Sequence, residues 1–122
     1  MKPILTTVLL AALTVSAEVA HAQPGPAPDP QAVARGKTAY EQVGCYQCHG
    51  YVGQGSIASG ATLAPNPKPL AFYQAYVRRP AAQMPPYSPA ILSDAQLADI
   101  HAYLRSIPAG KVAADIPLLS GR

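Results

Sequence analysis

Apolar positions fall at helical spacing in two stretches of the chain. Leu97, Ile100, Leu104 and Ile107 recur three or four residues apart, which predicts an amphipathic helix with one buried face. Ser93-Asp94-Ala95-Gln96 supplies a capping box at its start and Pro108 a stop at its end. Upstream, Val33, Gly36, Lys37 and Tyr40 show the same period. There Asp29 stands ready as N-cap and Pro30 occupies the first helical position, where a missing N–H costs nothing. That helix is predicted over Pro30 to about Val43, with Gly44 as its C-terminal stop. Gly36 is out of character in a helix interior, where it costs about 1 kcal/mol relative to Ala. Its presence implies the close approach of another helix.

A third, shorter helix is predicted from Pro69 to about Arg78, carrying Phe72, Tyr73, Tyr76 and Val77 and ended by Pro80. Between the first and third helices, Gly50, Gly53, Gly55 and Gly60 precede a proline-rich run from Leu63 to Leu70, which reads as loop. Gly53-Gln54-Gly55 follows no strand and lacks a correctly placed third glycine, so it is not a phosphate-cradling loop. Backbone lying against a flat ring system is the expected reason for so much glycine. No alternating run and no repeat occurs, and the fold class is all-α.

Within 122 residues there is room for one domain. The front of the chain reads as an export signal over residues 1–22. Lys2 gives a positive start, Ile4 to Val15 an apolar run broken only by Thr, and Ala20-His21-Ala22 a small-x-small cleavage site. Val15-Ser16-Ala17 is an alternative cleavage site. An uncleaved anchor would need an apolar run of roughly 20 residues, and this one is shorter. The partition is then a signal peptide over 1–22, a Pro-rich linker over 23–29, a helical domain over 30–108 and a C-terminal extension over 109–122. The extension is weakly patterned, with an apolar patch from Ile116 to Leu119, and is expected to wrap the surface or to move.

Removing Lys2 and Glu18 with the signal leaves eight Lys/Arg against five Asp/Glu, a net charge of +3. Without Lys/Arg runs, so mild an excess excludes nucleic acid as a partner. Cleavage also leaves no stable membrane insertion.

The candidate chemistry lies at Cys45-Tyr46-Gln47-Cys48-His49. C-x-x-C-H is the string that attaches a c-type haem covalently: two thiols on one side of a helical turn each add to a vinyl group, and the adjoining imidazole faces the iron. Three other readings exist for the pair. A disulfide across two intervening residues would close a very small loop and constrain the unfolded chain little. A thioredoxin-like dithiol needs a βαβ context that the pattern lacks. Zinc could draw on Cys45, Cys48, His49 and His101, but adjacent Cys48 and His49 share one tetrahedral ion with difficulty. A buried macrocycle would also supply apolar surface to a modest core. Downstream, Gln83-Met84-Pro85-Pro86-Tyr87 is a stiff loop, as a thioether ligand requires.

With these residues in place the chain resembles the class I cytochromes c, small all-helical carriers of a single haem, over about Gln31 to Ile107. In that family a glycine and an aromatic four residues later on the N-terminal helix pack against an aliphatic-x-x-aromatic face of the C-terminal helix. The matching residues are Gly36 and Tyr40 against Ile100 and Tyr103. The resemblance implies one covalent haem c on Cys45 and Cys48, with His49 as proximal and Met84 as distal iron ligand. His101 is the competing distal ligand, although a mid-helix position suits a surface or internally bonded histidine. Only 35 positions separate His49 from Met84, which resembles the compact bacterial forms.

The implied function is one-electron transfer in the periplasm, without substrate turnover by this chain. Its partners would be redox proteins: a periplasmic dehydrogenase, an oxidase or another cytochrome. A permanent haem-relay subunit of a larger dehydrogenase or oxidase is the alternative. A peroxidase or gas-binding protein would need an open or His-capped distal side, and the gas-binding four-helix cytochromes carry C-x-x-C-H near the C-terminus instead. Arg78 and Arg79, at the end of the helix leading into the Met84 loop, are candidates for a partner-facing patch or for propionate contacts, or are solvated helix-end charges.

Overall fold

The computed structural model describes residues 25–119; the expected export signal lies outside them. Four helices occur in order: α1 (Pro30–Gln42), α2 (Tyr46–His49), α3 (Leu70–Tyr76) and α4 (Asp94–Ser106), with a 3-10 turn at Ala113–Asp115. The described residues form no strand, and Ser56 and Gly60 make an isolated bridge. The all-α expectation holds. None of these helices is long and apolar enough to cross a membrane.

The helix starts obey local chemistry. The Asp29 carboxylate accepts hydrogen bonds from the Gln31 and Ala32 amides, at 3.1 Å each, ahead of Pro30. At α4, Ser93 Oγ accepts from the Gln96 amide (3.2 Å) while Gln96 Oε1 accepts from the Ser93 amide (3.0 Å), a closed capping box. The C-terminal end of α1 is closed by its backbone. Gly44 adopts φ +80°, a left-handed conformation that glycine takes without a Cβ clash. The Gly44 amide then donates to the Glu41 carbonyl and the Cys45 amide to the Tyr40 carbonyl, both at 3.1 Å. That pair of bonds is a Schellman motif, and it sets the direction in which Cys45 leaves the helix.

Packing explains Gly36. A Cβ there would stand 1.9 Å from the Asp99 carbonyl oxygen and 2.9 Å from the Ile100 amide nitrogen, so the backbones of α1 and α4 touch at this crossing. Below it, Tyr40 is fully buried, its ring 5.6 Å from that of Tyr103. Leu97, Ile100 and Leu104 of α4, Tyr73 and Val77 at α3, Ala39 of α1, Ala64 and Leu92 complete the core. The third helix divides its aromatic residues: Tyr73 is buried, while Phe72 and Tyr76 stack on its outer side at 5.3 Å. Residues 25–29 have no regular structure, yet Arg105 Nη2 donates to the Pro26 carbonyl at 2.7 Å and fastens them to the end of α4. Leu118 and Leu119 are exposed.

Candidate functional site

The Schellman turn delivers Cys45 as N-cap of α2, so that Cys45, Cys48 and His49 share a single helical turn. Both thiols are free; Cys45 is half-buried and Cys48 exposed. Burial pushes the Cys45 thiol up to about 11. A redox dithiol needs a thiolate of depressed pKa, and Cys45 is shifted the other way.

Two core tyrosines hold the backbone just beyond the turn. Tyr40 Oη donates to the Gly50 carbonyl at 2.7 Å, and Tyr103 Oη to the Tyr51 carbonyl at 2.6 Å. Loop 50–62 then folds back over α2. The Gly55 amide donates to the His49 carbonyl (2.8 Å) and Ser59 Oγ to the Cys48 carbonyl (2.8 Å), which satisfies carbonyls that a helix end leaves open. This return accounts for the glycines. Gly50, Gly53 and Gly55 have left-handed backbone, and a Cβ on Gly60 would stand 2.9 Å from the Cys48 carbonyl oxygen. Chain reversal and close backbone packing on α2 require glycine at these positions.

His49 is oriented by the same loop. Its Nδ1 lies 2.7 Å from the Ala61 carbonyl oxygen. A carbonyl only accepts, so Nδ1 donates to it, and in the neutral ring Nε2 keeps its lone pair. Holding one ring nitrogen in a donated hydrogen bond is how a metal-ligating imidazole has its tautomer and direction fixed. The donor set on α2, two free thiols beside an imidazole with Nε2 available, therefore fits a covalently held haem. No pattern in the sequence marks Ala61, because its contribution is a backbone carbonyl.

Met84 lies in the segment that joins α3 to α4. It is partly buried, and it packs on the same apolar cluster as Cys45, Tyr46, Leu63, Leu70 and Tyr87. Two residues before it, Ala82 has φ +58°, an unusual left-handed backbone for a residue with a Cβ. Tyr87 ties the loop down: its amide donates to the Val77 carbonyl (2.9 Å) and its Oη to the Val43 carbonyl (3.0 Å). Arg78 joins this network, with Nη1 on the Tyr87 carbonyl at 2.9 Å and Nη2 on Asp94 at 2.5 Å.

His101 is engaged elsewhere. Its Nε2 lies 2.9 Å from the Lys68 carbonyl oxygen and its ring meets Tyr73 edge-on. Among the described residues no group of three His, Cys, Asp or Glu side chains is placed to hold an ion, which leaves the four-ligand zinc reading without a site.

A family model described as "Cytochrome C oxidase, cbb3-type, subunit III" matches residues 31–104, more than half of the chain. The chain belongs to that family. The cbb3-type subunit III match spans α1 through most of α4 and contains Cys45, Cys48, His49 and Met84. It puts the chain in the broader c-type cytochrome family, through an oxidase subunit rather than through the class I carriers that the sequence resembles. Comparison with curated proteins and with solved structures gives no match.

Proposed function

We propose that this chain is a one-electron transfer protein that would carry a single haem c bound through Cys45 and Cys48, with His49 and Met84 as the residues that would hold its iron. The observation that carries the reading is the hydrogen bond from His49 Nδ1 to the Ala61 carbonyl, which leaves Nε2 available on the turn that presents both thiols. When bound, the haem would supply Fe(II)/Fe(III) electron exchange, with the protein setting potential and docking. The chain's own residues do the rest. Cys45 and Cys48 supply the sulfurs, and loop 50–62 keeps the imidazole from turning. Met84, between a left-handed Ala82 and two prolines, brings a thioether, which opposite an imidazole favours the reduced ion and raises the potential.

The working compartment in this reading is the periplasm, reached through the signal over residues 1–22, with 30–108 as the electron-transfer domain. The family match supports an oxidase-type complex as the partner, in which the chain is a relay and not the catalytic subunit. A free carrier shuttling between a dehydrogenase and an oxidase is the second reading, favoured by a core that α1, α3 and α4 build from this chain's own buried residues.

Intact mass of protein matured in a cytochrome c-competent periplasm tests the assignment. The expected result is the cleaved chain plus one haem, retained through acidic organic extraction, with a reduced c-type spectrum. A haem-free mass, or loss of the group on extraction, would overturn it. Size-exclusion of native extract then separates relay from carrier by whether the haem elutes in a large assembly or as a small monomer.

A further inference from the structure

The Met84 loop and the segment entering the Cys45–His49 turn are far apart in sequence, and among the described residues one hydrogen bond joins them. It runs from Tyr87 Oη to the Val43 carbonyl at 3.0 Å. Val43 is the C-cap of α1, two residues ahead of Cys45, and Tyr87 stands three residues beyond Met84 across Pro85-Pro86. Two prolines in succession transmit position well, because each fixes its own φ. The Tyr87 backbone is clamped independently toward α3 and α4, by the Val77 carbonyl and by Arg78, which is itself paired with Asp94.

We infer that Tyr87 is a positioning residue for Met84, its hydroxyl acting as a strut that fixes the Met84 loop against the Cys45–His49 turn. The inference rests on the proposed ligation by Met84. The backbone clamps alone locate the loop relative to α3 and α4, whereas only the hydroxyl ties it to the turn that carries His49. Burial holds the phenol proton on and keeps Tyr87 a donor. Without the hydroxyl the loop keeps its shape but loses its spacing, and the thioether is more easily displaced.

The test is titration of the ferric holoprotein with imidazole, monitored by loss of the sulfur-to-iron charge-transfer band. Tyr87→Phe removes only the strut. Ser106→Ala removes another part-buried hydroxyl, bonded to the Tyr103 carbonyl at the end of α4, and controls for general loosening. Imidazole should bind Tyr87→Phe about 3–10-fold more tightly than the parent, the worth of one ordinary hydrogen bond, with Ser106→Ala close to the parent. A parent that shows no charge-transfer band overturns Met84 ligation and the strut together. A parent with the band and a Tyr87→Phe variant that titrates like it overturn the strut alone, as does an equal shift in Tyr87→Phe and Ser106→Ala. Should Tyr87→Phe give no holoprotein, proton NMR of the parent ferrous holoprotein reads the strut directly: a slowly exchanging Tyr87 hydroxyl proton beside Val43 supports the inference, and a freely exchanging one overturns it.

Discussion

The Gly36 Cα faces the Asp99 carbonyl so closely that an added Cβ would stand 1.9 Å from the oxygen. Alanine at this position is a better helix former by about 1 kcal/mol, but the obstacle is backbone and no rotamer change relieves it. The α1–α4 crossing must then open, and with it the Tyr40–Tyr103 packing beneath. Gly36→Ala is therefore expected to destabilise by about 2 kcal/mol or more, since overpacking of a close contact outweighs propensity. Denaturant unfolding of the holoprotein measures it. A midpoint equal to the parent's would show that the helices separate freely.

Beside that contact, Arg35 and Asp99 form an ion pair at 2.8 Å, with the arginine side chain 58% exposed. The hydrogen bond from Arg35, aided by its charge, holds the Asp99 carboxyl below its usual 3.8. A depressed folded-state pKa gives stability that is present above the unfolded value and is lost as pH falls through the folded one. The raised Arg35 value lies above the working range and adds nothing to this window. The stability gap between parent and Asp99→Asn should be small and constant from about pH 8 to about pH 5, then close below about pH 4. A gap that persists in acid would assign the effect of Asp99 to packing.

Helix placement was legible because its signals are local. Asp29-Pro30, the Ser93–Gln96 box and Pro108 act within a turn of themselves, and α1 and α4 lie within a residue or so of the predicted spans. Gly36 announced a long-range contact because a helix-interior glycine needs a reason. The contacts that build the site were not legible in this way. His49 to Ala61, Tyr87 to Val43 and Arg78 to Tyr87 all end on backbone carbonyls, and every residue has one. Sequence pattern identifies the donor in such a bond and is silent about its acceptor.

Met84 and His101 separate cleanly as ligand candidates. Met84→Ala should abolish the sulfur-to-iron charge-transfer band and lower the potential. The packing loss should lie toward the lower end of about 2–5 kcal/mol, since the side chain is only partly buried. His101→Ala should leave the spectrum intact and cost about 1 kcal/mol for the lost bond to the Lys68 carbonyl. Visible spectroscopy of both variants decides the matter, and the opposite pattern would exchange their roles.

Arg78 and Arg79, equivalent by sequence pattern, differ in their surroundings. The Arg78 side chain is 19% exposed and holds both the Tyr87 carbonyl and Asp94, so its charge is spent inside the protein. Arg79 is exposed, with no side-chain hydrogen bond or ion pair among the described residues. Only the second is available to steer an acidic redox partner, whose approach salt would slow by screening charge beyond about 10 Å at 0.1 M. Arg79→Gln is accordingly expected to flatten the salt dependence of association without altering stability. Arg78→Gln should instead lower stability by about 1–3 kcal/mol, the range for a charged hydrogen bond reduced by the exposure of Asp94. Stopped-flow electron transfer over a salt series, paired with thermal unfolding, reads both effects. A salt slope moved by Arg78→Gln and not by Arg79→Gln would put the docking charge on the half-buried arginine and overturn the assignment.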